Sequence, residues 1–193
     1  SVLLAVNRST VSNISIQGTL VSANPASGYA ERFALQFRTS TSASGYGLVS
    51  LTGGGALFSL SKQPMIYGSC AMVFPAGLST ASEEFWCVAG LGVNTTGNTI
   101  GTDVAGLIYD RGNSYGANPG NSGNWLSFAR KASTNGTVTD SGTVPLISTT
   151  LQRLEWLYSD GSLKTYIGGV TTTPISTISA AELPTASLDG LIV

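Results

Sequence analysis

The apolar residues of this chain recur with the two-residue period of β-strands. Between positions 32 and 38, Phe33, Leu35 and Phe37 alternate with mostly polar residues, among them Arg32 and Arg38. Successive side chains of a strand point to opposite faces, so this alternation predicts a strand with one face in the core and one in water.

Comparable segments, bounded by Gly, Pro, Asn, Asp or Ser, recur along the chain, whereas helical periodicity is nearly absent. About ten short strands separated by turn residues are typical of a β-sandwich and not of a βαβ fold. One helical turn is predicted between Ser176 and Leu183. The predicted strands lie in segments 2–7, 13–21, 32–38, 45–51, 56–61, 65–75, 83–93, 103–111, 124–132, 151–159, 162–170 and 191–193.

Turn residues support this interpretation. Asn135-Gly136 and Asp160-Gly161 readily take the positive φ angles of two-residue hairpin turns, and each lies between strand-like segments, so both predict hairpins. Residues 112–123 contain too many Gly, Asn and Ser residues to pair, which predicts an exposed loop. Without a repeat or a linker, residues 1–193 are predicted to form a single all-β domain, a two-sheet antiparallel jelly-roll sandwich.

Charge is sparse. Only 10% of the residues are Asp, Glu, Lys or Arg, with nine basic against ten acidic residues. A surface with few charges and a net charge near zero tends to associate, so we expect a homo-oligomer. The lack of a basic cluster argues against nucleic-acid binding, and no apolar run approaches the roughly 18 residues of a membrane span. The first segment also lacks the features of a targeting peptide.

The chain contains no histidine. This excludes Ser/His/Asp and Cys/His catalysis, and also His-containing zinc sites and the two-His iron site. We predict no enzyme activity, no cofactor and no metal. Calcium is an alternative because oxygen ligands crowd one predicted loop region, although Asp and Asn in turns usually serve the backbone. These oxygen ligands are Asp103, Asp110, Asn113, Asn118 and Asn121.

A pair of carboxylates is the remaining route to catalysis, since glycoside hydrolysis needs only two. The candidates are Glu83 or Glu84 together with Glu155. Arg153 shares the strand face of Glu155, which favours a surface ion pair, and Glu83 and Glu84 directly precede a strand, where solvation is expected.

Cys70 and Cys87 lie in strand-like segments, at a spacing that would allow a disulfide between antiparallel neighbours. Two buried thiols are favoured over this disulfide, because free cysteine behaves as a small apolar residue.

Tyr115 is the aromatic residue with the clearest binding chemistry. It lies in the predicted loop among polar side chains suited to a sugar, whose C–H faces stack on rings while its hydroxyls need directed partners. The alternative is a ring folded back onto the sandwich or packed at a subunit contact. Trp86, Trp125 and Trp156 lie in strands, where packing is expected. The predicted glycan site comprises Asp110, Arg111, Asn113, Tyr115 and Asn124.

A family resemblance rests on the order of segments between Glu83 and Gly169, which ends in the strand pair 151–169. That pair reads L-x-R-L-x-W-x-x-x-D-G-x-x-x-x-Y-I-G-G, and Leu151 stands where the similar family pattern frequently has an aromatic residue. The segment resembles the concanavalin A-like (laminin-G-like) jelly rolls of bacteriophage tail, fibre and head-decoration proteins. The matching residues are Arg153, Leu154, Asp160, Gly161, Tyr166, Ile167 and Gly168.

The resemblance implies a non-enzymatic structural or decorating protein of a virus particle, in contact with other virion proteins and with copies of itself. A carbohydrate-binding adhesin that recognises a host-surface glycan is the alternative, and a jelly-roll glycoside hydrolase is third. The implied location is the virion. Family members commonly close with a further strand, so we expect more chain or a neighbouring subunit to complete the sheet beyond Val193.

Overall fold

The computed structural model describes residues 5–7, 13–15, 36–38, 48–50, 58–72, 74, 78–80, 84–93, 100–113, 116, 120, 122–147 and 151–192. Within these ranges every regular element is a β-strand, as the apolar pattern predicts. The described part contains no helix that could cross a membrane.

Seven of the fifteen strands found in the described ranges are six to eight residues long, and the others are pairs or triplets of residues. The longer strands are β6 (Met65–Met72), β7 (Trp86–Gly92), β8 (Val104–Asp110), β9 (Leu126–Lys131), β12 (Gln152–Ser159), β13 (Ser162–Ile167) and β15 (Ser187–Ile192). The shorter strands are β1 (Ala5–Asn7), β2 (Asn13–Ser15), β3 (Gln36–Arg38), β4 (Leu48–Ser50), β5 (Phe58–Ser59), β10 (Thr134–Asn135), β11 (Thr139–Asp140) and β14 (Ser176–Ile178).

Two antiparallel sheets form the sandwich. The large sheet has nine strands in the order β1-β4-β15-β7-β8-β9-β10, with β11 also beside β9 and β5 beside β15. The small sheet has the order β14-β13-β12-β6, and β2 and β3 pair separately. The predicted two-sheet antiparallel sandwich is confirmed, while the jelly-roll path of the connections stays a prediction.

Each predicted strand segment overlaps an observed strand, although segments 2–7, 13–21, 32–38 and 45–51 are described only in part. The last strand begins at Ser187, earlier than the predicted segment 191–193. The prediction of a helical turn between Ser176 and Leu183 is wrong. Residues 176–178 pair with β13 as an edge strand, and the chain then turns, with the Glu182 amide donating to the Ser179 carbonyl over 3.1 Å. Residues 176–178 are taken up by pairing with β13, which leaves Ala180 and Ala181 only this single turn, too short for a helix.

The core lies between the sheets and takes side chains from both. Leu154 and Trp156 of the small sheet pack in the same cluster as Leu107 and Tyr109 of the large sheet. Trp125, just before β9, is fully buried in this cluster. The expected packing role of Trp125 and Trp156 is confirmed.

The opposite face of the large sheet is buried as well. Val88, Val104, Ile108, Leu126 and Phe128 form a second apolar cluster there. Because both faces are covered, all seven residues of β8 are buried and the strand reads as a continuous apolar run.

Hydroxyl groups join the two sheets inside the sandwich. The Thr165 hydroxyl in β13 donates to Ser127 Oγ in β9 over 2.8 Å, and Ser127 Oγ lies 2.6 Å from Ser176 Oγ in β14. Nearby, the Trp125 indole donates to Gln152 Oε1 over 2.7 Å. These bonds satisfy polar groups that would otherwise be costly to bury.

Of the two predicted hairpins, one is confirmed. Asp160-Gly161 joins β12 to β13 with Ser159 opposite Ser162. The hairpin predicted at Asn135-Gly136 is wrong, because the chain turns earlier, at Ala132-Ser133, and Asn135 pairs within β10.

Both cysteines are free thiols, as favoured from the sequence, but only Cys87 is fully buried and Cys70 is half-buried. Cys70 belongs to β6 of the small sheet and Cys87 to β7 of the large sheet, so they are not neighbours within one sheet. Burial raises the pKa of the Cys70 thiol to about 12, and burial also raises the pKa of Cys87. Both thiols are therefore poor nucleophiles at neutral pH.

Candidate functional site

The predicted glycan-binding residues gather at the end of the sandwich where β8 finishes. Asp110 ends β8, and the Asn113 amide donates to the Asp110 carbonyl over 3.1 Å, with Asn113 at φ 53°. The last paired residues of β8 and β9 are Ile108 and Leu126. Because the strands are antiparallel, continuing this register by two residues places Asp110 opposite Asn124. Tyr115 lies outside the described residues.

Several polar groups at this end are held by the protein itself. Asp110 is only 1% exposed. The Arg111 Nη1 donates to the Ser79 carbonyl over 2.6 Å, and the Asn124 Nδ2 donates to Asp140 Oδ1 over 2.9 Å. These bonds fasten the loops to each other, and a glycan-binding role for the set stays a prediction.

Four aromatic rings pack beneath these loops. Phe74, Phe85, Tyr109 and Trp125 have ring centroids 5.1 to 6.2 Å apart. The Tyr109 hydroxyl accepts a hydrogen bond from the Ser79 amide over 3.1 Å. The end of the sandwich that carries the loops is therefore rigidly packed.

The oxygen ligands considered for calcium do not share one place. Asp103 and Asp110 lie at opposite ends of β8, roughly 20 Å apart at about 3.3 Å per residue. The Asp103 carboxylate accepts hydrogen bonds from the Thr102 hydroxyl and the Ala132 amide. Among the described residues, no group of three or more acidic or sulfur ligands could hold a metal ion. Asn118 and Asn121 are outside the described part.

The carboxylates considered for glycoside hydrolysis are also apart. Glu155 points away from the core on the far side of the small sheet, since its neighbours Leu154 and Trp156 point into the core. Glu84 precedes β7 of the large sheet and its carboxylate lies against Gly112. Because the small sheet stands between the two groups, they do not flank one substrate. Glu83 is outside the described residues.

A second candidate site lies on the outer face of the small sheet, meaning the face directed away from the large sheet. Arg153 Nη2 lies 2.6 Å from Glu155 Oε1, which is the ion pair predicted from the strand alternation. Its setting differs from the prediction, because the Glu155 side chain is fully buried while that of Arg153 is 55% exposed.

Tyr67 completes this group and was missed by the sequence analysis. Its hydroxyl donates to Glu155 Oε1 and accepts a hydrogen bond from Arg153 Nη2 over 2.9 Å. The hydrogen bond with Tyr67, followed by the charge of Glu155, raises the pKa of the Arg153 guanidinium. Tyr67 and Glu155 are 88 positions apart in the chain, so no local pattern signals their contact.

The other oxygen of Glu155 has a different environment. Glu155 Oε2 is buried and accepts no hydrogen bond from any residue in the described ranges. It faces Gly169, where a β-carbon would stand 3.5 Å away. A buried carboxylate with one unpaired oxygen is costly, so its pairing with Arg153 and Tyr67 carries much of its stabilisation.

Comparisons with known proteins show the fold alone. The chain matches no protein-family model and no curated protein. It is similar to a solved structure, a protein of unknown function, SO2946, from Shewanella oneidensis MR-1. That similarity has a TM-score of 0.54 at 18% identity and covers 98% of this chain and 68% of that one.

Proposed function

We propose that this protein is a non-enzymatic structural or decorating component of a bacteriophage particle, assembled with copies of itself and with other virion proteins. The observation that carries the proposal is a surface combining few charges with exposed large apolar side chains. Only 10% of the residues are charged. Among the described residues, the exposed large apolar side chains are Met65, Tyr67, Val144, Leu146, Ile147, Leu151 and Val170.

One part of this surface is suited to subunit contact. Val144, Leu146, Ile147 and Leu151 lie close together in the chain, and all are 38 to 53% exposed. Ile147 forms a parallel bridge to Phe74, just beyond β6, which is an edge strand of the small sheet. Exposed apolar groups beside a sheet edge favour association with other subunits. The resemblance to phage jelly rolls is the reason for proposing a phage particle as the assembly.

The test is an inventory of particles. Phage particles purified from the strain that encodes the chain are analysed by mass spectrometry and labelled with an antibody against it. We expect the chain in many copies per particle, and an oligomer in light scattering of the purified protein. Ser in place of both Leu146 and Ile147 should weaken that oligomer, whereas Lys62→Gln, at an exposed site, should not. Particles without the chain, together with a monomer at high concentration, would contradict the proposal.

A host-glycan adhesin is the second candidate, because the register of β8 and β9 brings Asp110 and Asn124 to one end of the sandwich with Arg111 and Asn113. A glycan array tests it directly. Binding should fall on Tyr115→Ala, and an array without any bound glycan would remove this candidate.

A further inference from the structure

On the outer face of the small sheet, side chains from β6, β12 and β13 stand in rows across the strands. Tyr67, Leu157 and Lys164 stand side by side across β6, β12 and β13. Ser69, Glu155 and Tyr166 form the next row, and Ala71 and Arg153 the one after. Neighbouring strands are about 4.8 Å apart, so Tyr67 and Lys164 flank a patch about 10 Å wide. This is the width of one pyranose ring with its substituents.

The ring of Tyr67 is held in place over this patch. Tyr67 and Arg153 belong to rows two apart, and their side chains converge so that both contact Glu155 Oε1. With its hydroxyl bonded to both partners, the ring has lost the freedom of an ordinary surface tyrosine, yet 46% of the residue is exposed. A rigid, exposed aromatic ring loses little entropy on binding.

The charges of the patch are unbalanced. Arg153 and Lys164 are positive and Glu155 is negative, which leaves one positive charge. Within the described part, Arg153 bonds only through Nη2, and its remaining N–H groups are free to donate. Lys164 is half-buried and forms no hydrogen bond or ion pair with the described residues.

We propose that the outer face of the small sheet binds a carboxylated sugar, whose apolar ring face stacks on Tyr67 and whose carboxylate pairs with Arg153 and Lys164. A neutral sugar would leave the positive charge unmatched, and a small inorganic anion would make no use of the ring. Glu155 is a positioning residue, because it is buried and orients Tyr67 and Arg153. The site is separate from the loops after β8, and the inference does not rest on the particle proposal.

The experiment measures binding of two matched probe pairs to the full chain by ligand-observed NMR and calorimetry. The first pair is tetragalacturonate and its methyl ester, which has the same rings without the carboxylates. The second pair is 3′-sialyllactose and lactose. We expect at least one acidic probe to bind about tenfold more tightly than its neutral partner, and its affinity to fall with added salt.

Variants assign the binding to this face. Tyr67→Ala removes the stacking surface and Lys164→Gln removes one cation outside the hydrogen-bonded group, and each should weaken binding about tenfold. Tyr67→Phe keeps the ring but releases it from Glu155, so a smaller loss is expected. Lys62→Gln is the matched charge control, because Lys62 is exposed in the turn between β5 and β6, outside the three rows of the patch. This variant should bind as the unaltered chain does.

Arg153→Gln would leave Glu155 buried without its ion pair and is destabilising, so Lys164→Gln carries the test of charge. Equal binding of acidic and neutral probes, or binding that survives both Tyr67→Ala and Lys164→Gln, would overturn the inference. A dimer dissociated by Tyr67→Ala, with no probe binding, would instead assign the face to a second copy of the chain. Neither result depends on whether the chain is present in particles.

Discussion

Two hairpins of this protein have the same shape and different origins. Between β12 and β13 the turn residues are Asp160 and Gly161, at φ 51° and 72°. Between β9 and β10 they are Ala132 and Ser133, at φ 48° and 69°. Both are two-residue turns with two left-handed residues, the geometry that matches the twist of paired strands. Only the first has residues that favour this geometry by themselves.

The second turn is stabilised from outside the hairpin. A left-handed residue with a side chain costs roughly 1–2 kcal/mol, and neither Ala nor Ser offsets this locally. The loop before β8 supplies the compensation, because the Ala132 amide donates to Asp103 Oδ1 over 3.1 Å and the Ser133 amide to the Thr102 carbonyl over 2.8 Å. A turn can therefore form against local preference when a neighbouring loop offers acceptors.

The strand after this turn depends on distant residues too. In β10 Asn135 pairs with Arg130 of β9, and in β11 Thr139 pairs with Ser127 of β9. Three residues between these two pairs therefore face two residues of β9, and this one extra residue is a β-bulge. The Thr137 amide, freed by the bulge, donates to Glu182 Oε1 over 2.7 Å. Glu182 belongs to the turn after β14, so a second distant segment stabilises this hairpin.

The largest effect is expected in the locally encoded hairpin. Gly161→Val places a β-branched residue at φ 72° and should lower the free energy of unfolding by about 2 kcal/mol. Denaturant titration measures this loss. Gly123→Val is the control, since a side chain there meets nothing within 4 Å, and it should change stability little. Equal losses in the two variants would show that backbone geometry is not the cause.

Asp103→Ala should remove about 1 kcal/mol, because the Ala132 amide loses its acceptor. Hydrogen exchange should quicken in β9 and β10 and stay slow in β12 and β13. Asp103→Asn keeps an acceptor oxygen and should lose less. A uniform change of exchange in both hairpins would contradict the assigned role of the loop.

Replacing the Ala132-Ser133 turn by Asn-Gly should raise the free energy of unfolding by about 0.5–1 kcal/mol, since these residues favour the left-handed turn. In that background Asp103→Ala should cost less than in the original chain, which a double-mutant cycle measures. Additive effects would mean that Asp103 does not act through the turn.

The smallest effect concerns pH. The hydrogen bonds with Thr137, together with those from Ser179, lower the pKa of Glu182. Its carboxylate therefore stabilises the fold above the unfolded-state value of 4.5, and this contribution is lost as the pH falls through the lower folded-state pKa. Glu182→Gln should be less stable than the original chain at pH 7 and equally stable in acid. A difference that persists in acid would contradict this role.

The sequence predicted the parts of the fold that depend on neighbouring residues. Strands β6 to β9, β12 and β13 appear where apolar runs and alternation indicate them, and Asp160-Gly161 turns where its dipeptide favours a turn. The pairing of Arg153 with Glu155 was predicted for the same reason, because residues two apart on a strand share a face.

Long-range pairing decided the rest. The chain turns at Ala132-Ser133 because another loop binds this turn, and β14 forms because β13 has a free edge. Glu155 is buried because it contacts Tyr67, which lies 88 positions earlier in the chain. Local preferences amount to about 1 kcal/mol per residue and can be read from the sequence. Register and hydrogen bonds between distant strands arise only when the sheets assemble, so the site on the outer face of the small sheet was visible only in the tertiary structure.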